Sequence, residues 1–122
     1  MNKILLVEDD AQMVRLYTAK LDKEGFEVEV AKNGIEGLDK ALNGNIDLIL
    51  LDIMMPEMDG EEMLKKLKQS EIGQKIPVII LTNMTYLQDS KTKELANEYV
   101  LKAGTNVDDI IIKIKEHIKN NE

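Results

Sequence analysis

Four places in this 122-residue chain put a chemically capable side chain directly after a short apolar run. Glu8-Asp9-Asp10 follow Ile4–Val7, Asp52 follows Leu48–Leu51, Thr82 follows Val78–Leu81, and Lys102 follows Tyr99-Val100-Leu101. If Glu8, Asp9 and Asp52 share one crevice, their charges must be relieved, because two carboxylates about 5 Å apart repel by roughly 3 kcal/mol at an effective dielectric near 20. A shared proton or a cation does this. An all-oxygen site with few protein ligands and room for water suits Mg²⁺ better than a soft metal. A carboxylate beside a cation, with a lysine and a threonine hydroxyl facing it, is a nucleophile toward phosphorus. The fixed charges would stabilise the equatorial oxygens during in-line transfer, and the product would be a labile acyl phosphate.

The elements that must bring these residues together are readable from hydrophobic period. Apolar runs fall at Lys3–Val7, Phe26–Ala31, Asp47–Leu51, Pro77–Leu81 and Glu98–Lys102. Three of them are continuously apolar, as in parallel strands covered on both faces. Phe26, Val28 and Val30 alternate with Glu27 and Glu29, which predicts an edge strand with one wet face. Between the runs lie stripes at helical spacing: Met13, Leu16, Tyr17 and Leu21; Ile35, Leu38 and Leu42; Met63, Leu64 and Leu67; and Val107, Ile110, Ile111, Ile114 and Ile118 behind the caps Thr105 and Asn106. Tyr86–Ala96 carries only Leu87 and Leu95 and predicts a poorly anchored helix. The pattern is a doubly wound α/β fold: a five-stranded parallel sheet of order 2-1-3-4-5 with five helices, forming one domain over residues 1–122. Its ligands bind beyond the carboxyl ends of the strands, beside the switch point. Glu8, Asp9 and Asp52, on neighbouring strands, then converge there. Gly25, Gly34, Gly44, Gly73 and Gly104 punctuate the turns, and Asp59-Gly60 predicts a positive φ at Gly60.

Composition narrows the field. A formal charge of −7 argues against direct binding to nucleic acid or an anionic membrane. The absence of cysteine excludes disulfides and thiolate chemistry. No apolar run reaches the roughly 18–20 residues of a membrane span, and the opening segment is too short for a signal peptide, so a cytoplasmic location is expected.

Together these residues resemble the response-regulator receiver domains, the CheY-like family with a flavodoxin-like fold, over essentially the whole chain. Leu5-Leu6-Val7-Glu8-Asp9-Asp10 resembles the family's first strand and acidic pair, and Leu51-Asp52-Ile53-Met54-Met55-Pro56-Glu57-Met58-Asp59-Gly60 its phosphorylation loop. Leu81-Thr82 and Tyr99-Val100-Leu101-Lys102 match its hydroxyl, its switch aromatic and its lysine. The resemblance implies Asp52 as phosphoacceptor, with Mg²⁺ held by Glu8, Asp9, Asp52 and the Met54 backbone carbonyl. It implies a histidine kinase or phosphotransfer protein as donor, with Thr82 and Lys102 on the phosphoryl oxygens. Thr82 and Tyr99 would switch the surface of helix four, strand five and helix five toward a downstream protein target, and a phosphorylation-dependent homodimer is compatible with it. Such a domain is not an enzyme, although it assists its own phosphorylation and dephosphorylation.

Two positions depart from the family pattern. Ala103 replaces the usual proline after the lysine, which predicts a trans Lys102–Ala103 bond. Asn83 replaces a small residue, which predicts slower phosphoryl loading, and thioethers at Met54 and Met84 predict slow self-hydrolysis. Other readings weigh less. Without Asp52, the acidic run would simply cap a helix. An aspartate-nucleophile phosphatase would carry a second aspartate at position 54, and the glycine and lysine motifs of nucleotide-binding loops are missing. The remaining alternative is a receiver-like interaction module that is not phosphorylated. His117 suits the end of its helix, and Ile112 lies off the apolar stripe, where it is expected to be exposed.

Overall fold

The computed structural model describes residues 2–53, 58–82, 90–102 and 104–120. In chain order the elements are β1 (Lys3–Val7), α1 (Ala11–Lys23), β2 (Glu27–Ala31), α2 (Gly34–Asn43), β3 (Leu48–Leu51), α3 (Gly60–Lys68), α4 (Glu71–Gln74), β4 (Val78–Thr82), α5 (Ser90–Leu95), β5 (Glu98–Leu101) and α6 (Val107–Asn120). All strand pairs are parallel, in the order β2-β1-β3-β4-β5, as the hydrophobic pattern predicts.

The apolar strands are sandwiched between two separate cores because their side chains alternate faces. Ile4, Leu6, Leu48, Leu50, Ile79, Leu81 and Val100 pack under α1 and α6, through Tyr17, Leu21, Ile110, Ile111, Ile114 and Ile118. Leu5, Val7, Ile49, Leu51, Val78 and Ile80 pack on the other side against Ala41, Met63, Leu64 and Leu67 of α2 and α3. Removing a fully buried side chain of this kind costs about 2–5 kcal/mol.

Several local expectations need correction. Among the described residues there are six helices where five were expected: α4 is a single four-residue turn, capped by Ser70, whose hydroxyl accepts from the Gly73 amide at 2.8 Å. One turn is too short to carry a 3.6-residue period, so only Gly73 signalled it. Leu16 and Ile35 are 43% and 55% exposed, so neither belongs to its helix's buried stripe. The buried face of α2 is Gly34, Gly37 and Ala41, small residues that let the helix approach Met63 and Val7 closely. Gly60 does not have a positive φ; Gly25 and Gly104 do, at 89° and 83°. Gly60 instead opens α3, where a Cβ would lie 2.5 Å from the Asp52 carbonyl oxygen. The described part of Tyr86–Ala96 holds the six-residue α5, with Leu95 exposed. Ile112 is exposed as expected, and Asn106 rather than Thr105 caps α6, accepting from the Asp109 amide at 2.9 Å.

Candidate phosphoacceptor site

Backbone ladders running one residue past the strands set the site. The Glu8 amide donates to Ala31 O at 2.9 Å, the Asp52 amide to Val7 O at 3.0 Å, and the Lys102 amide to Thr82 O at 2.8 Å. Val7 pairs with Leu51 and Thr82 with Leu101, so Glu8 and Asp52 leave the sheet side by side while Lys102 enters from beyond β4. Face alternation aims them together. Glu8, Asp52 and Lys102 each follow by two residues a member of the core under α1 and α6, namely Leu6, Leu50 and Val100. Thr82 follows Ile80, which lies on the opposite face, where Tyr99 also packs. Glu8, Asp52 and Lys102 therefore leave the sheet on the side of α1 and α6, and Thr82 leaves it on the side where Tyr99 packs.

Glu8, Asp9 and Asp52 offer carboxylate oxygens that all lie within 4.8 Å of one another. Glu8 and Asp52 are 2% and 7% exposed, whereas Asp9 is open to solvent. Lys102 Nζ donates to Glu8 Oε1 at 2.7 Å and lies 3.5 Å from Asp52 Oδ2. Burial pushes the Glu8 carboxyl up to about 7; Asp52 adds to the rise, while the Lys102 hydrogen bond opposes it. Burial alone would lower the Lys102 ammonium, yet the hydrogen bond to Glu8 and the charge of Asp52 outweigh it and hold it above the ordinary lysine value. The cluster is thus short of positive charge even with Lys102 in place. Three carboxylates, one of them open to water, with no soft donor beside them among the described residues, fit a hard cation with retained waters. Asp10 contributes through its backbone, its amide donating to Glu8 Oε2 at 3.3 Å, while its carboxylate accepts from the Gln12 and Met13 amides and caps α1.

Of the residues expected here from the sequence, Glu8, Asp9, Asp52 and Lys102 come together, and Thr82, 1% exposed, ends the adjacent strand. Tyr99 is half-buried, with the Lys93 ammonium 5.2 Å from its ring centroid. Met54, Asn83, Met84 and Ala103 lie outside the described residues, so the carbonyl ligand, the loading and hydrolysis expectations and the Lys102–Ala103 bond stay as expectations. Tyr17, on the apolar stripe of α1, lies nearer the site than its place in the core suggests: with Lys102, Asp10 and Met13 it lines a cavity of about 500 Å³ between α1 and the segment before α6. Burial raises its phenol pKa, with Lys102 and Glu8 close enough to act on it. A tyrosine at an otherwise leucine-rich helical position was the available signal. A larger cavity, about 640 Å³, opens beside Ile46 and Ile72 at the opposite end of the sheet and includes none of the acids of the site.

Comparison with known proteins settles the family. The response regulator receiver domain model matches residues 4–115. The chain is a response regulator receiver domain. It is 35% identical to the uncharacterized transcriptional regulatory protein YkoG of Bacillus subtilis over 97% of this chain and 51% of that protein. The chain spans between a third and about half of the length of several such curated relatives. Among solved structures, a CheY-like receiver domain protein of Methanospirillum hungatei superposes with a TM-score of 0.89 at 32% identity, covering 99% of this chain and 96% of that one. The response regulator protein TrrA of Thermotoga maritima, solved in complex with Mg²⁺-BeF, gives 0.87 at 33% identity, covering 96% of this chain and 99% of its own. TrrA has also been solved in complex with the histidine kinase ThkA.

Proposed function

We propose that this receiver domain accepts a phosphoryl group on Asp52 from the phosphohistidine of a histidine kinase or phosphotransfer protein. The observation that carries this is the buried Asp52 carboxylate held between two further acids and the Lys102 ammonium. An Asp52 carboxylate oxygen attacks phosphorus in line, the P–N bond breaks, and its electron pair returns to the imidazole. Mg²⁺ held by Glu8, Asp9, Asp52 and the Met54 carbonyl would neutralise charge on the phosphoryl oxygens. Lys102 exchanges its contact with Glu8 for the new dianion, and Thr82 donates its hydroxyl to the same group. As Thr82 moves, Tyr99, on the same face of the sheet, turns toward it. The surface formed by α5, β5 and α6 (the helix four, strand five and helix five expected from the sequence) is thereby biased toward a downstream protein partner. Support for the cation and the donor comes from the acid cluster here and from the Mg²⁺-BeF and kinase complexes of TrrA.

The reading predicts that beryllofluoride with Mg²⁺, a tetrahedral mimic of the acyl phosphate, shifts the amide resonances of Thr82, Tyr99 and α5 and leaves those of Ile72 and Ile46 unchanged. Asp52→Asn abolishes the shifts. Shifts confined to the acidic loop, with none at Tyr99, would remove the switch from the account.

A further inference from the structure

The glycine that opens α2 has no torsional reason to be there. Gly34 does not have a positive φ, and as the first residue after the Asn33 cap it occupies a position where most residues are tolerated. Glycine in a helix is less favourable than alanine. What excludes a side chain is Met58: a Cβ on Gly34 would lie 2.4 Å from the Met58 carbonyl oxygen and 2.8 and 2.9 Å from its Cγ and Cβ. The same carbonyl accepts a hydrogen bond from the Gly34 amide at 2.8 Å. A flexible side chain can swing aside, but a backbone oxygen cannot move without its loop.

Met58 closes the loop that follows Asp52. At the loop's near end Ile53 is buried and its carbonyl accepts from the Gly60 amide at 2.9 Å, with Gly60 pressed beneath Asp52. Its far end is held by Gly34. The start of α2 is itself tied to the acidic pair, because β2 ends at Ala31, whose carbonyl accepts from the Glu8 amide at 2.9 Å. We infer that Gly34 is a positioning residue: its amide and its missing side chain fix the Met58 carbonyl, and through Asp59 and Gly60 the backbone against Asp52, where Asp52 and the acidic pair can share one cation. This rests on the phosphoacceptor reading above. Gly37 offers a comparison in the same helix. The atoms nearest a Cβ there would be Met63 Sδ and Cε and Val7 Cγ2, at 3.0–3.2 Å, all in side chains, so the obstacle at Gly37 is packing and not a backbone oxygen.

The test is Mg²⁺ titration by calorimetry of the full chain and its Gly34→Ala and Gly37→Ala variants, each with a melting curve in EDTA. Both variants are expected to melt lower, but only Gly34→Ala weakens Mg²⁺ binding, by about fivefold or more, a coupling of ordinary size between linked sites. Equal affinities in Gly34→Ala and the parent overturn the inference while leaving the phosphoacceptor reading intact. Failure of the parent to bind Mg²⁺ removes that reading and the inference with it. Should Gly34→Ala not fold, amide exchange in the parent decides: Mg²⁺ slows exchange at Gly34 more than at Gly37, whose amide bonds to Asn33 O within the helix's own first turn. Equal slowing at the two overturns the proposal.

Discussion

Asp52→Asn should make the protein more stable while destroying its function, provided no cation is present. The substitution keeps the size of the side chain and removes one charge. Lost is an attraction to Lys102 at 3.5 Å, roughly 5 kcal/mol at an effective dielectric of 20. Relieved are repulsions from Glu8 and Asp9, each within 4.8 Å and each roughly 3.5 kcal/mol on the same scale. The difference favours the variant by about 2 kcal/mol. At pH 8, where Glu8 is largely ionised, solvent around Asp9 trims this to about 1 kcal/mol, or a few degrees in Tm for a chain of this size. Mg²⁺ should reverse the order. At a concentration a hundredfold above its Kd, a ligand adds about 2.7 kcal/mol to the parent and less to a variant with a weakened site. Calorimetric melting of both proteins in EDTA and across a Mg²⁺ series measures the crossing. A variant that melts below the parent in EDTA, or that gains as much from Mg²⁺, would refute the charge argument.

Three further outcomes follow from the same geometry. Glu8 titrates near 7 in the folded, metal-free protein against an ordinary 4.5, so between these values the folded state holds a proton that the unfolded state has released. Metal-free stability should therefore fall as pH rises from about 4.5 to 7, and Glu8→Gln should flatten that slope in denaturant titrations at stepped pH. Lys102→Ala leaves Glu8 and Asp52 facing each other without their cation; a loss of about 1–3 kcal/mol is expected at pH 8 and less at pH 5, where Glu8 protonates, read from urea midpoints. Gly60→Ala, although alanine favours helix, should destabilise by about 1–3 kcal/mol because its Cβ would strike the Asp52 carbonyl, and chemical denaturation measures it.

The hydrophobic pattern carried the sheet and its central strands because β1, β3 and β4 are buried on both faces, and burial of that kind leaves an unbroken apolar run; the order is the one common to five-stranded doubly wound folds. The site followed for the same reason: polar residues that end such runs can go only to the sheet's edge. What the pattern misplaced were the contacts made by residues with little or no side chain. Ile35 looked like the buried face of α2, but Gly34, Gly37 and Ala41 are buried, since close approach selects for small volume and not for hydrophobicity. Gly60 looked like a turn residue and is a spacer beneath Asp52. Which face of the sheet each strand-end group takes depends on register, and register is not written in any one run. Hence it emerged only with the strands in place that Tyr99, and Thr82 two residues after Ile80, take the face of α2 and α3.

Mass spectrometry of the intact protein after incubation with Mg²⁺ and acetyl phosphate tests the central claim most directly. The account predicts the added mass of one phosphoryl group on the parent, none in EDTA and none on Asp52→Asn. An unchanged parent, or equal labelling of Asp52→Asn, would contradict it.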